Sequence, residues 1–220
     1  MYNITSGSIN RKKLLLLSGL IVSVLLSVVF YTLHNRAKQK LNTNIFSYDF
    51  VLKDGDLVFR KGRSIESYVV LITDRTSSYS HVGVIYMLNK TPYVIHTVPG
   101  ESEVGTDYVK MEKLSVFFSS EKASRGSIFR LKEQYANSAK LAALSAKSFF
   151  DDKIIFDDAF DLKSENKLYC TELVWKAYQK VGIDLTQGKY DKLFLPFVKG
   201  FIILPSSLLN NFYLEEIYYF

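Results

Sequence analysis

The run from Leu14 to Leu33 crosses twenty positions without a charged side chain. As an α-helix it would be about 30 Å long, the thickness of a bilayer's hydrocarbon core. A cleaved signal peptide has a shorter apolar run, roughly 7–15 residues, closed by a small-residue cleavage pattern. Here the run is longer and no A-x-A pattern follows it. The only cysteine, Cys170, lies too far downstream to carry a lipid. The expectation is an uncleaved transmembrane anchor over residues 1–40, a linker over 41–52 and one folded domain over 53–220.

Charge supports that division. Residues 1–40 hold Arg11, Lys12, Lys13, Arg36, Lys38 and Lys40 and no acid, which is the whole net charge of +6. The remainder carries 22 basic and 22 acidic side chains. A nucleic-acid binder would place its basic patch on the folded domain, so no nucleic-acid partner is expected. The six cations instead flank the apolar run, as beside anionic headgroups. They divide equally between its two sides. With Arg11-Lys12-Lys13 ahead of a single anchor, the domain is expected outside the cytoplasm.

The domain reads as α+β. Leu57-Val58-Phe59 is a strand after the turn Lys53-Asp54-Gly55-Asp56. Ser64 caps a helix to Thr73 with Ile65, Val69 and Ile72 on one face. Val82–Tyr86 and Tyr93–Thr97 form a hairpin, rich in β-branched and aromatic residues. Ser127–Leu131 is a further strand. Helices follow over Ala136–Phe150 and Tyr169–Val181, the second stopped by Gly182.

His81 and His96, two of three histidines, fall on the hairpin. A turn over Met87–Lys90, or over Leu88-Asn89, sets them directly opposite each other, which is the expected register. A turn at Asn89-Lys90 makes them diagonal neighbours. Either way both rings share one face. Cys170 opens the last helix, where free N–H groups and the helix dipole lower a thiol's pKa and can hold an oxyanion. Together these residues fit an activated nucleophile: Cys170 attacks, His81 moves the proton and His96 orients His81. Tyr169 and Glu172 are possible oxyanion or substrate contacts, and Glu172 also suits the first turn of its helix. A zinc site from Cys170, His81 and His96 lacks ligand spacing and a fourth donor, so no metal and no cofactor are expected. The acidic residues Asp151, Asp152, Asp157, Asp158 and Asp161 lack the pattern of a calcium loop and read as a solvated face.

Five stretches resemble one family: Gly55-Asp56-Leu57-Val58-Phe59-Arg60, Ser80-His81-Val82-Gly83-Val84, Val94-Ile95-His96, Phe156-Asp157 with Phe160, and Tyr169-Cys170-Thr171-Glu172-Leu173-Val174. Their order is similar to that of the YiiX/YaeF-type permuted papain-like amidases, a branch of the NlpC-type superfamily that includes lecithin retinol acyltransferase. The resemblance implies a circularly permuted papain-like core, its histidine strands ahead of its cysteine helix, and thiol chemistry on amides or acyl esters. That branch has an acidic residue at the third position, where this chain has His96. The expected function is a cysteine amidase or peptidase acting through an acyl-thioester, on cell-wall peptides. The alternatives are a lipid acyl hydrolase or acyltransferase and a binding module whose cysteine is merely buried. Expected partners are the membrane, through residues 14–33, and a peptide or acyl-lipid substrate.

Overall fold

The computed structural model describes residues 23–32, 52–102, 105–192 and 200–220. The chain divides into two units, Met1–Tyr48 and Asp49–Phe220. Of the first, residues 23–32 are helical; the rest of the expected span over 14–33 lies outside the described residues. Among the described residues no helix is long and apolar enough to cross a membrane. The linker expected over 41–52 lies outside them except for Leu52.

The second unit is built on a six-stranded antiparallel sheet. In chain order its strands are β1 (Leu57–Gly62), β2 (His81–Leu88), β3 (Thr91–His96), β4 (Lys110–Lys113), β5 (Ala123–Leu131) and β10 (Leu214–Tyr219). Across the sheet the order is β10-β5-β1-β2-β3-β4. Two small sheets pair β6 (Ile155–Phe156) with β7 (Lys167–Leu168) and β8 (Asp191–Lys192) with β9 (Phe201–Ile202). The helices are α1 (Ile65–Thr73), α2 (Leu114–Phe117), α3 (Ala136–Asp151), α4 (Cys170–Gln179) and α5 (Pro205–Leu209).

Strand alternation divides the sheet into two faces. One carries Leu57, Phe59, Val82, Val84 and Ile95, which form a core with α3 and α4. The alanines of α3, Ala139, Ala142, Ala143 and Ala146, recur at helical spacing and are buried, which lets the helix lie close to the sheet. The other face carries Arg60, His81, Gly83 and His96 beneath Phe117 of α2. At the end of the sheet away from His81, Asp56 accepts two hydrogen bonds from Arg130, each 2.8 Å, and Tyr178 of α4 donates to the Gly55 carbonyl.

The hairpin turn is Asn89-Lys90, with φ of 49° and 64°. This is a two-residue turn whose positive φ values match the twist of the strands. It pairs Leu88 with Thr91 and Val84 with Ile95, so His81 and His96 are diagonal rather than directly opposite. Gly83, one ladder step beyond the Val84–Ile95 pair, takes the place across from His96. A Cβ built there would lie 2.4 Å from Val94 Cγ1 and 3.0 Å from the His96 Cβ. Gly83→Ala should therefore destabilise the domain by about 1–3 kcal/mol through overpacking, read as a lower urea midpoint at unchanged m value.

Candidate active site

A cavity of about 520 Å³ opens where β2 begins and α4 starts, lined by Arg60, His81, Thr97, Phe160, Tyr169 and Cys170 among others. His81 is the first residue of β2, His96 the last of β3, and Cys170 the first of α4. The structure thus gathers residues distant in sequence at one end of the sheet.

The imidazoles form a relay with a third strand. His81 Nε2 lies 2.8 Å from His96 Nδ1, and His96 Nε2 lies 3.0 Å from Glu112 Oε1 on β4. An ionised carboxylate can only accept, so His96 donates from Nε2 and its Nδ1 accepts. His81 then donates from Nε2, which leaves His81 Nδ1 as an unprotonated base. Glu112 is held in turn by Lys122 at 2.8 Å, and Arg60 lies 3.8 Å from Oε1. Sequence reading missed Glu112. Its signal was the alternation of apolar Val109 and Met111 with Lys110 and Glu112, too short a stretch to stand out as a strand.

Arg60 was also passed over as a site residue. Buried on the relay's face, it donates to the Phe117 carbonyl at 2.9 Å and to Glu101 at 3.1 Å, and its guanidinium sits 4.5 Å from the centre of the Phe117 ring. Phe117 stacks on His81 with centroids 5.6 Å apart and meets His96 edge-on at 5.1 Å. Glu101 gathers Arg60, Lys110 and Lys122. Burial works against its charge, but the two lysine hydrogen bonds and Arg60 hold its pKa down to about 2.

These surroundings keep the pair of imidazoles neutral. Burial, then the Arg60 charge, pushes the pKa of both well below the ordinary histidine value. The thiol moves the other way. Burial raises Cys170 to about 11, although backbone N–H groups of Val82, Thr171 and Cys170 itself favour the thiolate. The residue is partly exposed at the cavity, and the upward direction follows from burial of the rest of it against the hydrophobic core. Both shifts favour a thiol and a neutral base over a resting thiolate–imidazolium pair. The two groups line one cavity, with no hydrogen bond between them.

Cys170 is held from both sides. The Tyr169 hydroxyl accepts from the Ile203 N–H at 2.9 Å, and the Thr171 hydroxyl donates to the Ile203 carbonyl at 2.6 Å. The ring of Tyr169 lines the cavity while its hydroxyl oxygen accepts from Ile203. Glu172 does not line the cavity. It is fully buried, accepts from the Tyr169 N–H to cap α4 and pairs with Lys176 at 2.9 Å. Burial raises its pKa to about 7. Asp157 is buried rather than solvated. It accepts from the N–H groups of Ala159 and Asp161 and so shapes the loop that brings Phe160 to the cavity.

A second recess of about 110 Å³, almost wholly apolar, adjoins the thiol between Val69, Val70, Phe160, Ile202 and Pro205.

The family model described as "Permuted papain-like amidase enzyme, YaeF/YiiX, C92 family" matches residues 51–195. The chain is 26% identical over 140 residues to a protein described as "Uncharacterized protein YiiX" from Escherichia coli strain K12, a match spanning 63% of each chain. It superposes with a TM-score of 0.62 and 23% identity on the crystal structure of metalloprotein YiiX from Escherichia coli O157:H7, covering 77% of this chain and 98% of that one. Among the described residues no group of three or more His, Cys, Asp or Glu side chains is arranged so that it could hold a metal ion. Both nitrogens of His96 are also engaged by the relay.

Two measurements check the electrostatics. Alkylation of Cys170 by iodoacetamide should rise with pH toward an inflection near 11; an inflection below the ordinary thiol value of about 8.5 would mean a resting ion pair. For the histidines, a folded pKa below the unfolded value of about 6.5 means the unfolded chain binds more protons. Stability should fall as pH drops through that value, and His96→Gln should lessen the fall in unfolding midpoint.

Proposed function

Because the chain belongs to the permuted papain-like amidases of the YaeF/YiiX type, we propose that it is a cysteine amidase in which Cys170 is the nucleophile, His81 the base, and His96 with Glu112 the residues that orient it. The observation that carries this reading is the relay from Glu112 through His96 to His81, which ends in a free ring nitrogen at the cavity that holds the only thiol.

The chemistry follows from the protonation states. His81 Nδ1 takes the thiol proton as Sγ attacks the amide carbonyl. A helix N-terminus offers its free N–H groups to the oxyanion. The imidazolium then returns its proton to the departing amine, leaving a thioester on Cys170. Water, deprotonated by the same nitrogen, hydrolyses the thioester to the acid and regenerates the thiol. Arg60 disfavours a resting imidazolium, so charge on His81 is confined to the reaction, where the carboxylate of Glu112 offsets it through His96.

Two buried donors lie beside the cavity. Arg60 Nε and Thr97 Oγ1 make no hydrogen bond among the described residues, and both residues line the cavity. The cell-wall peptide as substrate, and a domain held outside the cytoplasm by residues 14–33, rest on the sequence. The apolar recess beside the thiol favours a second reading, transfer or hydrolysis of an apolar acyl group.

Trapping tests both. The full chain in vesicles, incubated with cell-wall peptides or acyl lipids, should gain the mass of an acyl group on Cys170 and not in Cys170→Ala. A chain that never acylates with either class would be a binding module. With the substrate so found, Cys170→Ala and His81→Ala should each cost at least about 10³-fold in kcat/KM. Glu112→Leu should lose activity and Glu112→Gln regain part of it, since an amide oxygen still accepts from His96. Equal loss in both would leave Glu112 a structural residue.

A further inference from the structure

Helix α1 follows Ser64, whose hydroxyl accepts from the Ser67 N–H, yet none of its nine residues is buried. Ile65, Tyr68, Val69 and Ile72 are 79, 63, 52 and 68% exposed. They recur three and four residues apart, so they share one face. A helix of a folded domain normally turns such a stripe to the core. Single exposed apolar residues are ordinary, whereas a contiguous patch marks a contact surface. The patch has a cationic border: Lys61 and Arg63 precede the helix, Arg75 follows it, and all three are exposed. Of the nearby acids, Glu66 is exposed, while Asp74 is buried and accepts from the Ser206 N–H.

An apolar helical face with cations at its edge matches an element lying in the headgroup region of an anionic bilayer. We propose that α1 is a membrane-docking helix: its Ile65, Tyr68, Val69 and Ile72 face enters an anionic lipid surface, with Lys61, Arg63 and Arg75 against the headgroups. Val69 and Val70 also line both spaces beside Cys170. Docking through α1 therefore holds the cavity at the bilayer surface. The inference goes beyond the proposed chemistry, and its test needs no substrate.

The full chain carrying Cys170→Ser provides a background for one added thiol. Ile72→Cys, Ile65→Cys and, at the far end of β2, Lys90→Cys are each labelled with an environment-sensitive fluorophore and reconstituted in vesicles of phosphatidylcholine with or without phosphatidylglycerol. Expected with phosphatidylglycerol is a blue-shifted emission at Ile72 and Ile65, quenched at least twofold by brominated lipid, and a water-like, unquenched signal at Lys90. Pure phosphatidylcholine, or Lys61→Gln with Arg63→Gln and Arg75→Gln, should reduce the quenching at Ile72. Labels at Ile65 and Ile72 as water-exposed as the one at Lys90 would overturn the proposal. A blue shift without quenching by lipid would overturn it too, because protein would then cover the face: another part of this chain if the shift is independent of protein density, a second copy if it grows with density.

Discussion

The site depends on the register of one hairpin. Two residues, Asn89 and Lys90, accept left-handed backbone so that β2 and β3 turn in the fewest positions that suit their twist. A register slip by one residue would move every side chain of a strand to the other face. The turn used here sets His81 diagonal to His96, and β4 then brings Glu112 within reach of the second imidazole. Gly83 leaves the space in which the His96 side chain lies. A short turn, a glycine and a third strand therefore decide which nitrogen of His81 is free.

Electrostatics around that nitrogen favour neutrality rather than a standing ion pair. A buried imidazolium would sit beside the Arg60 guanidinium, and a thiolate would be largely withdrawn from water. The network Glu101–Arg60–Lys110–Lys122 occupies the rim. It keeps cations close to the relay without pairing them to the histidines. Both groups therefore favour their neutral forms in the free site.

Much of this was legible in the sequence where local chemistry decides structure. Ser64 announced the start of α1, β-branched and aromatic content the hairpin, the stretch Ala136–Phe150 α3, and Cys170 the start of α4. The shared face of His81 and His96 followed from strand parity alone. What was hidden was non-local. β4 spans four residues, and Glu112 matters only because β3 pairs with it. The burial of Asp157 depends on a loop that folds back on its own carboxylate. The exposure of α1 contradicts its apolar pattern, because a pattern states which face is apolar and not what covers it. The thiol's pKa depended on burial, which the helix terminus alone did not disclose.

The clamp on Ile203 ties Cys170 to a segment some thirty residues downstream. The side chains before and after Cys170 satisfy both the N–H and the carbonyl of that one residue, so neither flank of the cysteine can shift without orphaning a buried backbone group. In genetic terms, the gene has two addresses for one atom. A screen for loss of function would place changes around residues 201–204 in the same class as changes beside Cys170, although no side chain there reacts.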